Sequence, residues 1–184
     1  MTLECIARKD TFSNGYIGLF WASYIHQPES LDIHFPGWPN IGDRIKETQL
    51  PPPTMIRGVT SEHGLKATHR SLQDRRQLEH DKDFPLSLVF GHSDHRYSDP
   101  WYYGVSNGMG FAQIFRRSDN IRITQSPSGG GQGNPAWDFQ FIVDNYQVGK
   151  RYQMVMRIVY QPIEPRTKFL ETVRSHYQAL QTLK

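Results

Sequence analysis

Alternation of apolar and polar residues dominates the chain and predicts β-strands. The clearest run covers residues 152–160. One side of this run consists of five apolar side chains: Tyr152, Met154, Met156, Ile158 and Tyr160. Because successive side chains of a strand point to opposite faces, such a run is typical of a strand with one face in a core. We therefore expect all five side chains to be buried.

Shorter runs predict further strands, at residues 16–26, 31–35, 54–59, 85–90, 108–115, 120–125 and 136–142. Residues 16–26 are apolar on both sides, which favours a strand covered on both faces. Residues 36–40 are rich in proline and glycine and predict a turn, and residues 41–85 predict a polar excursion with short strands. Several strands separated by polar turns predict a mainly β fold, an antiparallel β-sandwich or barrel, as a single domain over residues 1–184.

The C-terminal segment has a different periodicity. Phe169, Val173, Tyr177 and Leu180 recur at spacings of three to four residues, and Pro165 lies where a helix commonly begins. We expect one amphipathic helix over residues 166–183. Its apolar side should pack on the edge of the sandwich or on a partner chain.

Composition excludes several classes of protein. The 21 Lys and Arg residues are scattered among 18 acidic residues, so the net charge of +3 forms no stripe for a nucleic acid. The single cysteine, Cys5, excludes an intramolecular disulfide and a Cys-based zinc cage. No run resembles a signal peptide or reaches the roughly 18 apolar residues of a membrane helix. We expect a soluble, cytoplasmic protein.

Residues 126–141 combine a glycine-rich loop with a strand of alternating aromatics, as in a binding loop carried by a β scaffold. Trp137, Phe139 and Phe141 should face the core. Asp138 and Gln140 fall on the other side, where we expect a cleft. Ser128 and Asn134 in the loop are candidate ligand-binding residues with Gln140. The alternative is a hairpin loop over an ordinary aromatic core.

Residues 96–104 carry three adjacent aromatics, Trp101, Tyr102 and Tyr103, close to Arg96. Three neighbours in a strand cannot all enter one core, so we expect at least one at a surface or in a cleft. Aromatic rings beside planar polar groups suit a sugar, whose C–H face stacks on a ring while its hydroxyls form hydrogen bonds. These four residues are candidate ligand-binding residues. The alternative is that the tryptophans belong to the core.

Eight histidines are many for this length, and they supply the candidates for acid–base chemistry. His63 and His69 form one pair, and His92 and His95 form another with Asp94 nearby. Neither spacing is diagnostic of a metal site, and structural histidines remain the alternative. We take His63, His69 and Asp138 as candidate catalytic residues. Asp94, Asp99 and Asp138 are candidates for a pair of glycosidase carboxylates.

The runs YIGLFWASYI, DPWYYG and SPSGGGQGNPAWDFQF resemble an uncharacterised group of bacterial proteins found in environmental and planctomycete-like genomes. The resemblance covers much of residues 16–160. It implies a layout similar to the large antiparallel sandwiches of the galactose mutarotase type, and a chain that forms the C-terminal part of a larger supersandwich. Because the likeness to mutarotases is one of fold, it implies no catalytic residue.

Three functional hypotheses follow. The first is a protein that binds or processes a saccharide in a cleft lined by aromatic and polar residues. The second is a non-catalytic accessory or oligomerisation domain that associates through exposed aromatics or the C-terminal helix. The third is a cupin-like metal enzyme, although the clustered His-His-Glu-His set of cupins is not evident in the sequence. The residues single out neither an enzyme activity nor a cofactor.

Overall fold

The computed structural model describes residues 1–42, 50–58, 66–79, 91–126 and 133–183. In these ranges, eleven strands form one curled sheet and one α-helix follows the last strand. The elements are β1 Thr2–Ile6, β2 Tyr16–Trp21, β3 Ile33–Trp38, β4 Thr54–Gly58, β5 Thr68–Ser71, β6 His92–Tyr97, β7 Trp101–Ser106, β8 Met109–Phe115, β9 Arg122–Ser126, β10 Ala136–Asp144, β11 Arg151–Pro162 and α1 Arg166–Gln181. The strand expected at 85–90 lies outside the described residues.

The sheet folds over into two layers. Its strand order is β1-β11-β8-β7-β3-β6-β5-β9-β10-β2, with β4 paired to β3. The pairs are antiparallel except β5 with β6. The two layers meet where Phe115 of β8 lies 4.7 Å from Phe139 of β10, ring centre to ring centre, and where the Tyr102 hydroxyl donates to the Trp137 carbonyl. The mainly β, sandwich-like fold with a C-terminal helix is therefore confirmed.

The main core lies between the layers and contains the predicted aromatic face of β10. Trp137, Phe139 and Phe141 are all buried in it. The Trp137 indole lies directly on the backbone of Gly104, where a Cβ atom would overlap the ring. Its Nε1 donates a hydrogen bond to the Leu31 carbonyl at 3.1 Å. Glycine at position 104 thus makes room for the largest core side chain.

A second core lies between the sheet and α1. Phe169, Val173 and Leu180 of the helix are buried there, which confirms the predicted apolar side. This side of the helix packs on β8 and β11 of its own chain. In the described part of the chain, no helix is long and apolar enough to cross a membrane.

Two cores explain why the expectation for residues 101–103 was wrong. Trp101 and Tyr103 enter the helix-side core, whereas Tyr102 enters the core between the layers. All three are at most 3% exposed. Alternation does send them to opposite faces, but both faces of β7 are covered, so none of the three reaches a surface.

The N-terminal strands also differ from expectation. β2 is the last strand of the sheet rather than a central one, and Phe20 and Trp21 are 39% and 43% exposed. Residues 36–38 continue β3 instead of forming a turn. Proline at position 36 has no N–H to donate, but its carbonyl accepts a hydrogen bond from the Ser98 N–H at 2.9 Å.

The predicted core face of residues 152–160 is buried at one end and exposed at the other. Met154 and Met156 are buried, but Ile158 and Tyr160 are 53% and 63% exposed. At this end of β11 the opposite face is covered, because Val159 packs beneath the helix. Alternation gave the correct parity, but it could not show where the opposing layer ends.

The buried and exposed ends of this face should respond differently to substitution by aspartate. Met154→Asp should lower the free energy of unfolding by several kcal/mol, because it buries an unpaired charge where exposure is 0%. Ile158→Asp should change it by about 1 kcal/mol or less, since water reaches this side chain. Urea denaturation of both variants measures the difference. Equal destabilisation would show that the exposed end of β11 is covered in solution.

Candidate functional site

The outer side of the β6–β5–β9–β10 layer carries polar side chains that are nevertheless buried. By strand alternation this side is opposite the aromatic core. We call the following set the polar face: Thr68 and Arg70 of β5, His92 and Arg96 of β6, Arg122 and Thr124 of β9, and Asp138 and Gln140 of β10. All of them except His92 are buried. Buried polar side chains in such number need hydrogen-bonding partners and favour a functional explanation.

The polar face is ordered in two rows that run across the strands. One row contains Asp138, Thr124, Thr68 and His92, which are cross-strand partners in succession. The other row pairs Gln140 with Arg122, and Arg70 with Arg96. Cβ atoms of directly opposite residues in a sheet are roughly 5 Å apart, so the side chains of each pair lie next to each other. The second row therefore concentrates three guanidinium groups.

Asp74, just after β5, is a buried carboxylate beside these guanidinium groups. Arg76 donates to it from Nε at 2.9 Å and from Nη2 at 3.0 Å, and Arg122 donates from Nε at 2.8 Å. Burial alone would raise the pKa of Asp74, but the bonds from Arg76 and Arg122 outweigh it and hold this pKa well below its usual range. One permanently ionised carboxylate is thus shared by two guanidinium groups.

Arg70 and Arg96, the other two arginines of the polar face, lie close enough to Arg122 to be affected by its charge. Burial, followed by the charge of Arg122, lowers the pKa of both Arg70 and Arg96. Arg96 donates to two backbone carbonyls, those of Gly42 and Ser71, each at 3.2 Å. Neutral carbonyls satisfy hydrogen bonds but supply no net negative charge.

His92 is neutral at pH 7 and is oriented by Arg122. Its Nε2 lies 3.2 Å from Nη1 of Arg122. A guanidinium only donates, so Nε2 accepts, and we assign the ring proton to Nδ1. Burial, with the charges of Arg70 and Arg122, lowers the pKa of His92 to about 4. At neutral pH His92 presents an N–H donor rather than a positive charge.

An open pocket of about 580 Å³ adjoins this end of the polar face. We call it the arginine pocket. Arg70 and His92 line it together with Asn40, Ile41, Gly42, Ser93 and Asp94. The Asp94 carboxylate accepts a hydrogen bond from Lys66 at 3.0 Å. The pocket has a volume typical of small-molecule sites and combines cationic and neutral donors with acceptors.

Three of the candidates from the sequence lie on the polar face, but not all of them reach the pocket. Arg96 lies beside the arginine pocket and is buried. Asp138 and Gln140 are 0% and 2% exposed, so the expectation that they face a cleft was wrong. Gln140 donates to the Thr124 hydroxyl at 2.8 Å. Side-chain alternation correctly placed both residues on the side of β10 opposite the aromatic core, but this side is covered as well.

His69 belongs to the core rather than to an open site. Its ring lies 4.5 Å from that of Phe35, and its Nε2 is 3.0 Å from Oε1 of Gln125. Burial lowers the pKa of His69 to about 4. A ring that is 2% exposed cannot reach a substrate in the arginine pocket, so the expectation of a general base at His69 was wrong.

The remaining candidates are dispersed. Asn134 accepts a hydrogen bond from the backbone N–H of Gln27 at 3.0 Å and so fixes the chain next to β10. His63 and Ser128 lie outside the described residues. Within the ranges that the structure describes, no three His, Cys, Asp or Glu side chains are grouped to hold a metal ion. Among the three acids proposed as a glycosidase pair, Asp94 bonds to Lys66, Asp99 bonds to Arg117, and Asp138 is buried.

Three residues of this site were not among the candidates predicted from the sequence: Arg70, Asp74 and Arg122. Arg122 alternates with Ile121 and Ile123, which by itself predicts an arginine in solvent. A usable signal was the recurrence of Arg and Thr on the polar parity of two strands, in residues 68–70 and 122–124. Nothing local in the sequence shows that these two strands are neighbours.

Protein-family models, curated proteins and solved structures were compared with the chain, and none matches it. The function must therefore be inferred from the geometry of the polar face and its pocket.

Asp138 is the buried acid of the polar face whose protonation can change near neutral pH. Its Oδ1 accepts a hydrogen bond from the Ser23 N–H at 2.8 Å, and its Oδ2 has no hydrogen-bond partner among the described residues. Burial raises the pKa of Asp138 to about 7. In the unfolded chain the pKa of an aspartate is about 4.

This difference makes stability depend on pH. Between about pH 4 and pH 7 the folded chain keeps a proton that the unfolded chain releases, so stability falls as pH rises, by about 1.4 kcal/mol per pH unit. Asp138→Asn retains an acceptor for Ser23 and cannot ionise. Its stability relative to the parent should therefore rise from pH 5 to pH 8 in urea denaturation. The control Gln178→Asn, at an exposed position of α1, changes no ionisable group and should show no such trend. A constant difference between Asp138→Asn and the parent would contradict the shifted pKa.

Proposed function

We propose that the protein binds a small anionic ligand in the arginine pocket, and that this ligand is an acidic saccharide carrying a carboxylate or phosphate group. The observation that carries the proposal is the cationic wall of the pocket. Arg70 has a lowered pKa beside Arg122, and the neutral His92 adds an N–H donor.

Guanidinium chemistry supports an anion. Arginine presents several N–H donors in one plane, which match the two oxygens of a carboxylate or the oxygens of a phosphate. A negative group beside Arg70 would offset the repulsion between Arg70 and Arg122. Because the surroundings are largely buried, this attraction is stronger than it would be on an exposed surface.

The rim of the pocket supports a ligand with hydroxyl groups. Asn40, Ser93 and the Asp94 carboxylate can donate to or accept from hydroxyls. A volume of about 580 Å³ accommodates a sugar. The aromatic platform expected at Trp101 to Tyr103 is buried, so ionic contacts replace ring stacking as the main source of affinity in this pocket.

The arrangement favours binding over catalysis. His69 and Asp138 are buried. His92 uses its acceptor nitrogen for Arg122, so it has no lone pair directed at a ligand. A general base requires such a lone pair within hydrogen-bonding distance of the reacting group.

Association through β2 is a second candidate function. Phe20, Trp21 and Tyr24 are 39%, 43% and 65% exposed at this edge of the sheet. Exposed aromatics on an edge strand favour contact with another chain. The helix is a weaker candidate for association, because its apolar side packs on its own sheet. Light scattering of the parent and of Trp21→Ser tests this candidate, and a monomeric parent would contradict it.

Ligand binding predicts a charge-dependent calorimetric titration. Glucuronate or glucose 6-phosphate should bind to the parent, and glucose should bind at least tenfold more weakly. Arg70→Gln should weaken binding of the anion by roughly 10- to 100-fold, as expected for the loss of a hydrogen bond to a charged group. Thermal melting of Arg70→Gln checks that the variant remains folded.

Arg151→Gln is the matched control. Arg151 is 65% exposed in its side chain and pairs with Glu4 on β1. This substitution removes the same charge far from the polar face and should leave the affinity unchanged. Equal binding of glucose and glucuronate, or an unchanged affinity in Arg70→Gln, would contradict the proposed function.

A further inference from the structure

Trp38 lies on the same side of the sheet as the arginines. Trp38 of β3 is the cross-strand partner of Arg96 of β6, so both side chains project from one face. On the opposite side, Ile33 and Phe35 of the same strand enter the core. The Trp38 Nε1 donates to the Pro51 carbonyl at 2.7 Å, which fixes the orientation of the half-buried ring.

A second pocket, of about 270 Å³, lies against this ring. We call it the tryptophan pocket. Trp38, Pro53 and Leu72 form its apolar side. Its polar lining residues include Gln73, Asp99 and Arg117. The sequence predicted a sugar site made of an aromatic ring and planar polar groups at residues 96–104. In this pocket the ring is that of Trp38, and the planar polar groups are those of Asp99 and Arg117.

The polar groups of this pocket are held in place. Arg117 Nη2 donates to Oδ1 of Asp99 at 2.6 Å, and the Ser98 hydroxyl donates to Oδ2 at 3.1 Å. A carboxylate has about four acceptor positions, and a guanidinium has five N–H donors. Both groups therefore keep capacity for sugar hydroxyls, while the C–H face of a pyranose can stack on the indole.

Arg96 lies between the two pockets. It donates to the carbonyl of Gly42, which lines the arginine pocket, and to that of Ser71, which precedes Leu72 in the tryptophan pocket. Along β6, His92 lines the first pocket and Tyr97 lines the second. Five residues of strand span about 17 Å. A single sugar unit is too short to contact both pockets, whereas a chain of roughly three or four units reaches from one to the other.

We infer that the tryptophan pocket is a second subsite of the same binding face, and that the ligand is an acidic oligosaccharide extending along β6 from the arginine pocket to Trp38. The inference rests on the proposed function for the acidic end of the ligand. The tryptophan pocket adds a stacking contact and hydroxyl contacts for a further sugar unit.

Dependence on ligand length tests the inference. Calorimetric titrations would compare galacturonate, tetragalacturonate and the neutral cellotetraose. Tetragalacturonate should bind at least tenfold more tightly than galacturonate, because it occupies both pockets. Cellotetraose should bind at least tenfold more weakly than tetragalacturonate, since it lacks the carboxylates for Arg70.

Trp38→Ala should remove the gain from length. Its affinity for tetragalacturonate should fall about tenfold or more, while its affinity for galacturonate stays that of the parent. Trp21→Ala is the matched control, because Trp21 is exposed on the edge strand β2 and on the other side of the sheet. It should bind both ligands as the parent does. If Trp38→Ala does not fold, Arg117→Gln replaces it, since the Arg117 side chain is 66% exposed.

The outcomes separate the two proposals. Failure of every acidic sugar to bind overturns the proposed function and this inference with it. Binding of galacturonate with no gain for tetragalacturonate overturns the second subsite and leaves the arginine pocket in place. Equal weakening of both ligands in Trp38→Ala also overturns the subsite, because it would place Trp38 in contact with the first sugar unit.

Discussion

The ion pairs of Asp74 with Arg76 and Arg122 hold the polar face together. Asp74 follows β5, whereas Arg122 belongs to β9, and Arg76 also donates to the Ile142 carbonyl of β10 at 2.9 Å. One carboxylate thus connects a loop to two strands on the outer side of the sheet. Removal of one partner from a buried ion pair typically costs about 3–5 kcal/mol, a large part of the stability of a domain. The polar rows on β5, β6, β9 and β10 depend on this anchor.

The same interaction holds Arg122 close to Arg70 and Arg96. Asp74 is bonded by Arg76 and Arg122, while Arg70 and Arg96 keep lowered pKa values beside Arg122. Charge concentrated next to an open pocket has a direct functional use, since it attracts and orients an anion without any rearrangement of the protein. The proposed ligand places a negative group beside Arg70, whose pKa burial and the charge of Arg122 lower.

The sequence predicted those features that depend on local alternation. It gave the fold class, the helix and the core parity of Met154, because each follows from side-chain periodicity. It failed where the other side of a strand is covered by a distant segment. Tyr102 and Tyr103 enter different cores, and Asp138 was expected in a cleft because a polar side chain opposite an aromatic face is usually exposed. Arg122 was missed for the same reason, since its partner Asp74 lies 48 residues away.

The central claim is that Arg70 and His92, which line the arginine pocket, bind an anionic group there. A crystal structure of the protein soaked with galacturonate tests it most directly. The account predicts the carboxylate of the sugar within hydrogen-bonding distance of the Arg70 guanidinium and of Nδ1 of His92. Galacturonate bound elsewhere, or an empty arginine pocket at a saturating concentration of galacturonate, would contradict it.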